Sequence, residues 1–237
     1  MYKYIVLLSR MEGMSYDEFL TYWQNDHAPV AQKIEGSVRY HQVHPTDTEN
    51  AEFDGIAEVF FDDLDDLYAA FGGPEQKPDP DREHAQETLM DTVNFLDTSK
   101  LRQFVGEEHV QRDDVDGDTD GLYKHSAFLV RQDGMSHDEF VTYWQENHTP
   151  IARDIEGVVR YTTVLPANPE NAAFDGVAEL YFETLDDLHD ALGSPGSRDY
   201  DPTREVAQKA REDVDNFLAI EERPRLIGQE QVVKDET

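Results

Sequence analysis

Apolar positions change period at regular intervals along this chain. Tyr2 to Ser9 is short, apolar and β-prone, and reads as a strand. Phe19, Tyr22, Trp23, Val30 and Ile34 follow near helical spacing, the stripe of an amphipathic helix. Ser15 and Glu18 form its capping box and Gly36 its stop. Pro29 has no amide proton, so it should interrupt the helix near the middle and leave a second segment beyond it. Val38 to His44 and Gly55 to Phe61 read as strands. Asp63 opens a helix striped by Leu64, Leu67 and Phe71. A Gly/Pro stretch, Gly72 to Pro80, precedes another helix from Asp81 to Leu96, and a last strand covers about Leu101 to Val110.

The whole series returns at an offset of 121 residues. Phe140, Tyr143, Trp144, Ile151 and Ile155 repeat the stripe. Ser136 with Glu139 repeats the cap, Pro150 the break and Gly157 the stop. Val159 to Leu165 and Gly176 to Phe182 are the matching strands, and Thr184 matches Asp63. One extra residue near Tyr200 shifts the offset to 122, so Arg204 matches Arg82 and Phe217 matches Phe95. Identity this long within one chain marks a repeated structural unit.

Each unit reads strand-helix-strand-strand-helix-strand, the split βαβ, ferredoxin-like order. A four-stranded sheet with helices on one face leaves its other face bare, and two copies can cover each other. The expected fold is therefore α+β: two ferredoxin-like (βαββαβ) repeats packed sheet to sheet as an internal pseudo-dimer barrel. Residues 1–111 form the first repeat, 112–122 an acidic linker and 123–237 the second repeat. The linker resembles the start of a calcium loop from Asp116, but Ala127 stands at position twelve, where a bidentate Glu is needed. It reads as a solvated acidic linker.

Composition narrows the function. Asp and Glu number 52 against 20 Lys and Arg, for a net charge of −32. Self-repulsion at that charge opposes compaction in dilute buffer, and concentrated salt relieves it. The expectation is a protein suited to a salt-rich cytoplasm. Nucleic acid is not an expected partner, since no basic face exists to neutralise phosphates. No apolar run approaches 18 residues, so no membrane span is expected. The absence of Cys excludes disulfides, thiolate metal sites and thiol nucleophiles. The chain begins directly in a strand-like run without a signal-peptide layout, and a cytoplasmic location is the default expectation.

No phosphate-binding Gly loop, HExxH, GxSxG or dinucleotide fingerprint is present. The candidate residues come from the repeat. His27 and His148 stand in Trp-Gln-x-x-His-x-Pro, at a helix break, as acid/base groups or as polar plugs for the freed carbonyls. Glu58 and Glu179 share a strand face with Ile56 and Phe60, or Val177 and Tyr181, which should look into the barrel. A carboxyl there would titrate high and act as acid or base, or it would pair with Arg10, Arg39, Arg131 or Arg160. Tyr40 and Tyr161 are ligand-orienting hydroxyls or core aromatics, and Trp23 and Trp144 follow the apolar stripe into the core. The copies differ at His41/Thr162, His44/Leu165 and His84/Val206, so any pockets should be unequal. His41 and His44 lie on opposite strand faces and make a poor metal pair, and no metal site is expected.

Taken together, Arg10, Gly13-Met14-Ser15, Asp17-Glu18-Phe19, Tyr22-Trp23, His27-x-Pro29, Gly36, Arg39-Tyr40 and Asp54-Gly55-x-Ala57-Glu58 resemble the EthD family of the dimeric α+β barrel superfamily. The second copy carries the same set from Arg131 to Glu179. The resemblance implies the ferredoxin-like fold and barrel pairing. It implies a small hydrophobic or aromatic ligand, cofactor-independent acid/base or oxidative chemistry, and His27 and His148 as the suspected functional residues. Arg39 and Arg160 join Tyr40 and Tyr161 as candidate substrate contacts. No cofactor is required. The alternative is a non-catalytic ligand-binding or accessory protein. Relatives of this kind are mostly single-domain homodimers, whereas this chain fuses the pair, with further homo-oligomerisation left open.

Overall fold

The computed structural model describes residues 1–194 and 200–237. The first repeat runs β1 (Tyr2–Leu8), α1 (Tyr16–Tyr22), α2 (Ala28–Ala31), β2 (Ser37–Pro45), β3 (Gly55–Phe61), α3 (Leu64–Phe71), α4 (Glu83–Asp91) and β4 (Arg102–Asp113). The second runs β5 (Tyr123–Leu129), α5 (His137–Tyr143), α6 (Thr149–Ala152), β6 (Val158–Pro166), β7 (Gly176–Phe182), α7 (Leu185–Leu192), α8 (Glu205–Asp213) and β8 (Arg225–Asp235). The extra residue near Tyr200 adjoins residues 195–199, which lie outside the described residues.

The eight strands close into one antiparallel barrel in the order β1-β3-β2-β8-β5-β7-β6-β4. The repeats cover each other by joining their sheets edge to edge. β4 pairs with β1 over Arg102–Glu107 and with β6 over Gly106–Asp113. β8 likewise pairs with β5 over Arg225–Gln229 and with β2 over Gly228–Asp235. Each long final strand thus belongs to both halves, and among the described residues no sheet edge is left to pair elsewhere. A Cβ on Gly106 would lie 2.5 Å from the Leu165 carbonyl oxygen, and one on Gly228 2.6 Å from that of His44. Close approach at the crossover therefore requires glycine.

The helix at Pro29 is not broken as the sequence suggests. It passes from α1 to α2 through a five-residue π-helical turn, Trp23–His27, closed by the Ala28 amide on the Trp23 carbonyl. Pro29 then falls in the first turn of α2, where a missing amide costs nothing. Trp144–His148 repeats the turn before Pro150. The capping boxes form at Ser15/Glu18 and Ser136/Glu139.

Strand alternation divides the core. Outside the barrel, Phe19, Trp23, Tyr40, Val59, Phe61 and Leu67 pack the first sheet against its helices, and Phe140, Trp144, Tyr161, Leu180, Phe182 and Leu188 do so in the second. Inside it, Ile5, Leu7, Val43, Ile56, Phe104, Val164, Val177 and Leu226 form a single apolar plug contributed by both repeats. Each fully buried aliphatic or aromatic side chain stabilises by roughly 1.5–3 kcal/mol, so this shared plug binds the halves into one unit.

Candidate functional site

The π-turn fixes the position of both histidines. It turns His27 onto the end of α4, where Nδ1 lies 2.8 Å from Asp91 Oδ2. His148 meets Asp213 at the end of α8 in the same way, at 2.9 Å. The hydroxyls of Tyr22 and Tyr143 each donate to the same Asp at 2.8 Å, and Asn94 and Asn216 add amide donors. These donors hold each carboxyl below its ordinary range despite partial burial. Burial lowers both imidazoles, outweighing the neighbouring Asp, and Arg223 adds to the depression at His148. The neutral ring with Nδ1–H given to Asp leaves Nε2 as the basic nitrogen.

Both histidines line space between sheet and helices, and the two spaces differ greatly. The first repeat encloses about 90 Å³, lined by Trp23, His27, Tyr40, Val59 and Phe95 among others. The second opens a cavity of about 630 Å³, lined by His125, Trp144, His148, Tyr161, Phe217 and Arg223 among others. Two exchanges account for much of this. In the first repeat Tyr4 and Phe71 stack at 4.0 Å between ring centroids. Their counterparts, His125 and Leu192, make no such pair and border the open space.

The tryptophan beside each histidine also differs. Trp23 Nε1 donates to the Tyr40 hydroxyl at 2.9 Å, and Gln42 donates to the same oxygen at 2.9 Å. Gln42 is replaced by Thr163 in the second repeat. There Trp144 Nε1 and the Thr149 hydroxyl lie beside the Tyr161 hydroxyl in a looser arrangement, without the well-aligned bonds of the first repeat. Burial pushes both tyrosines up to about 12, so each hydroxyl keeps its proton. Both indoles are fully buried against a glycine: a Cβ on Gly55 or Gly176 would sit 2.6 or 2.5 Å from the ring.

Glu58 and Glu179 look into the barrel, as strand alternation predicts, and so the sheet separates them from His27 and His148. They meet lysines, not the arginines suggested by sequence. Lys3 Nζ lies 2.5 Å from Glu179 and 3.3 Å from Glu108. Lys124 Nζ lies 2.7 Å from Glu58, 2.8 Å from Glu230 and 3.0 Å from Glu179. Arg10 and Arg131 hold Asp54 and Asp175 instead. Burial and the facing Glu179 push Glu58 up to about 8, while Lys124 and Lys3 overcome burial to hold Glu179 well below the carboxylate range. Thr162 donates to Glu179 at 2.7 Å, and His41 meets Glu230 at 3.0 Å. Ligand atoms of His41, Glu58 and Glu230 lie within 4.8 Å of one another, a cation-like cluster, and the Lys124 ammonium already bonds both carboxylates.

The remaining candidates lie apart from the cavities. Arg39 contacts Asp235 at 3.1 Å and Thr237 near the end of the chain. Arg160 is buried on Asp113 and Glu108. The structure therefore unites His27 with Tyr40 and His148 with Tyr161, and sets Glu58, Glu179, Arg39 and Arg160 elsewhere. Sequence reading missed Asp91, Asp213, Lys3 and Lys124, although all four recur at matched positions of the repeat.

This architecture is that of the dimeric α+β barrel proteins, with both halves carried on one chain. The EthD domain model matches residues 11–99 and 132–221, and the chain belongs to the EthD family. Among solved structures, an anthrone oxidase-like protein is 13% identical with a TM-score of 0.62, covering 100% of this chain and 94% of its own. A chlorite dismutase variant from Candidatus Nitrospira defluvii is 11% identical with a TM-score of 0.56, covering 98% of this chain and 92% of its own. An EthD family protein from Bacillus halodurans C-125 is 23% identical, covers 46% of this chain and 99% of its own, and has a TM-score of 0.36. Comparison with curated protein sequences finds no significant match. No described helix is long and apolar enough to cross a membrane.

Proposed function

We propose that this chain takes a small hydrophobic or aromatic molecule between the sheet and helices of its second repeat and moves a proton on it without a cofactor. The observation that carries this reading is the His148–Asp213 pair on the wall of a cavity of about 630 Å³, a volume within the range of small-molecule sites. Asp213 holds the tautomer, and His148 Nε2 takes a proton from an acidic C–H or O–H of the guest. Tyr161, protonated and on the same wall, orients an oxygen of that guest. His27 holds the same bond to Asp91 beside only about 90 Å³, so its role is to tie the π-turn to α4. Glu58 and Glu179 belong to the barrel core, and Arg39 and Arg160 to its rims. The net charge of −32 fits a salt-rich cytoplasm as the working medium.

A second reading has its own support. Because the first repeat keeps the dyad with so little space beside it, His148 too would serve packing, and the chain would bind its guest without changing it. Deuterium uptake at the α-carbon of an enolisable aryl ketone, followed by NMR in D2O, separates the two. Wild-type protein should accelerate exchange, His148→Ala should lose about 10²–10⁴-fold of that acceleration, and His27→Ala should keep it. Binding without accelerated exchange would select the second reading.

A further inference from the structure

Three arginines of the second repeat line its cavity without, among the described residues, a carboxylate partner. Arg211, Arg223 and Arg225 all line it. Elsewhere Arg10, Arg39, Arg82, Arg131, Arg160 and Arg204 each hold an Asp or Glu, as a chain of net charge −32 would lead one to expect. Among the described residues, neither Arg223 nor Arg225 makes a side-chain hydrogen bond or ion pair. Arg211 bonds the Ala191 carbonyl through Nη1 and lies 3.6 Å over the Tyr200 ring, while its buried Nη2 has no partner. Glu212, Asp215 and Glu221 border the cavity at exposed positions, and none is in ion-pair contact with these arginines.

The cationic groups crowd one another. Burial and Arg225 push Arg223 down to about 10, and burial with Arg225 and Arg223 pushes His125 down to about 3. Like charges gathered at partial burial without counterions cost free energy unless an anion joins them. Trp144, Tyr161 and His125, all buried, stand on the wall of the same cavity. The first repeat lacks the whole feature. Its Leu89, Leu101 and Gln103 stand where Arg211, Arg223 and Arg225 stand, and Tyr4 replaces His125.

We infer that the second cavity binds a small organic carboxylate with an apolar or aromatic body, its carboxylate held by Arg223 and Arg225 with Arg211, and that the first repeat binds no such ligand. The inference rests on the proposed ligand cavity and adds the charge of its guest. Guanidinium pairs carboxylate bidentately, and the bond strengthens as water leaves. The apolar wall of Leu129, Trp144, Ile155, Leu180 and Phe217 receives the body. His148 and Arg223 line the same cavity, and the guanidinium lowers the imidazole.

The test is calorimetric titration of the whole chain in 2 M KCl with 1-naphthoate and with its uncharged amide. Wild-type protein should bind naphthoate at least tenfold more tightly. Arg223→Leu/Arg225→Gln, which restores first-repeat residues, should erase the preference. Arg225→Lys should retain part of it, and circular dichroism checks that each variant is folded. Equal affinity for acid and amide, persistence of the preference in the double variant, or displacement by equimolar inorganic phosphate overturns the inference. If both probes bind equally, the cavity reading survives and the anion inference alone fails. If neither binds, both fall. Naphthoate binding that persists in His148→Ala, with ketone exchange absent from wild-type protein, removes the proton-transfer reading and leaves the anion site.

Discussion

Lys3 reaches across the barrel to Glu179, 2.5 Å away and in the other repeat, and Lys124 returns the relationship by bonding Glu58 at 2.7 and 2.8 Å. Each repeat thus supplies the ammonium that bonds the other's buried carboxyl. The pairing is exchanged as in a symmetric dimer, although one chain provides both halves. Taking one partner away leaves charge stranded in a dry interior.

Lys124 bonds three carboxyls of this cluster closely, Glu58 at 2.7 Å, Glu230 at 2.8 Å and Glu179 at 3.0 Å. Lys124→Met should therefore destabilise by about 3–5 kcal/mol. Lys3→Met should cost about as much, because Glu179 would keep only one ammonium, that of Lys124, beside the Thr162 hydroxyl. Urea unfolding at fixed KCl measures both. A loss under about 1 kcal/mol for either would show that water reaches the cluster and screens it.

The same cluster predicts a dependence on pH. Glu58 holds its proton up to about 8 in the folded chain and to about 4.3 when unfolded. The folded state therefore binds more protons between those values, and stability falls as pH rises through them. His27, His44, His125 and His148 are lowered on folding, so they act in the opposite direction, and only up to their unfolded value near 6.5. Glu179 and Glu230 are depressed, and their stabilisation is lost only in acid. The window from pH 7 to 8.5 isolates Glu58. Tm should fall there by about 2–4 °C, and Glu58→Gln should flatten the slope. An unchanged slope in that variant would assign the proton to another group.

Salt should act on the surface more than on this core. At about 1 M salt the Debye length is about 3 Å, short enough to silence repulsion among exposed carboxylates such as Asp62, Asp65, Glu83 and Glu87. Tm should rise between 0.1 and 2 M KCl, with most of the gain below about 1 M. A flat Tm over that range would count against adaptation to salt, whatever the net charge.

How much of this was legible in the sequence depends on how far apart the partners lie. Strand period alone placed Glu58 inside the barrel and Val59 outside. The identity of its partner was hidden, because Lys124 is 66 residues away and reaches Glu58 only once the two repeats close one barrel. His27 stood out through His-x-Pro, yet Asp91, 64 residues on, depends on where α4 ends. The π-turn was read as a break because a proline marks the missing amide and not the bond that replaces it. The unequal pockets were foreseen from His41, His44 and His84. The exchanges that set them apart are instead Tyr4/His125, Phe71/Leu192 and the three arginine positions, visible as differences between copies but united only by the fold.

Those exchanges can be reversed. His125→Tyr with Leu192→Phe restores in the second repeat the ring pair that Tyr4 and Phe71 form at 4.0 Å in the first. The added rings should fill the cavity near its arginines and raise stability by about 0.5–2 kcal/mol, because buried apolar area replaces open space. Binding of naphthoate and of its amide should both disappear, with His148 and Asp213 still in place. The opposite pair, Tyr4→His with Phe71→Leu, removes packed rings and should cost about 3–5 kcal/mol. It should open space beside His27 without creating anion preference, since Leu89, Leu101 and Gln103 supply no charge. Titration of both double variants checks this. Naphthoate binding that survives in the refilled second repeat would place the ligand elsewhere on the chain.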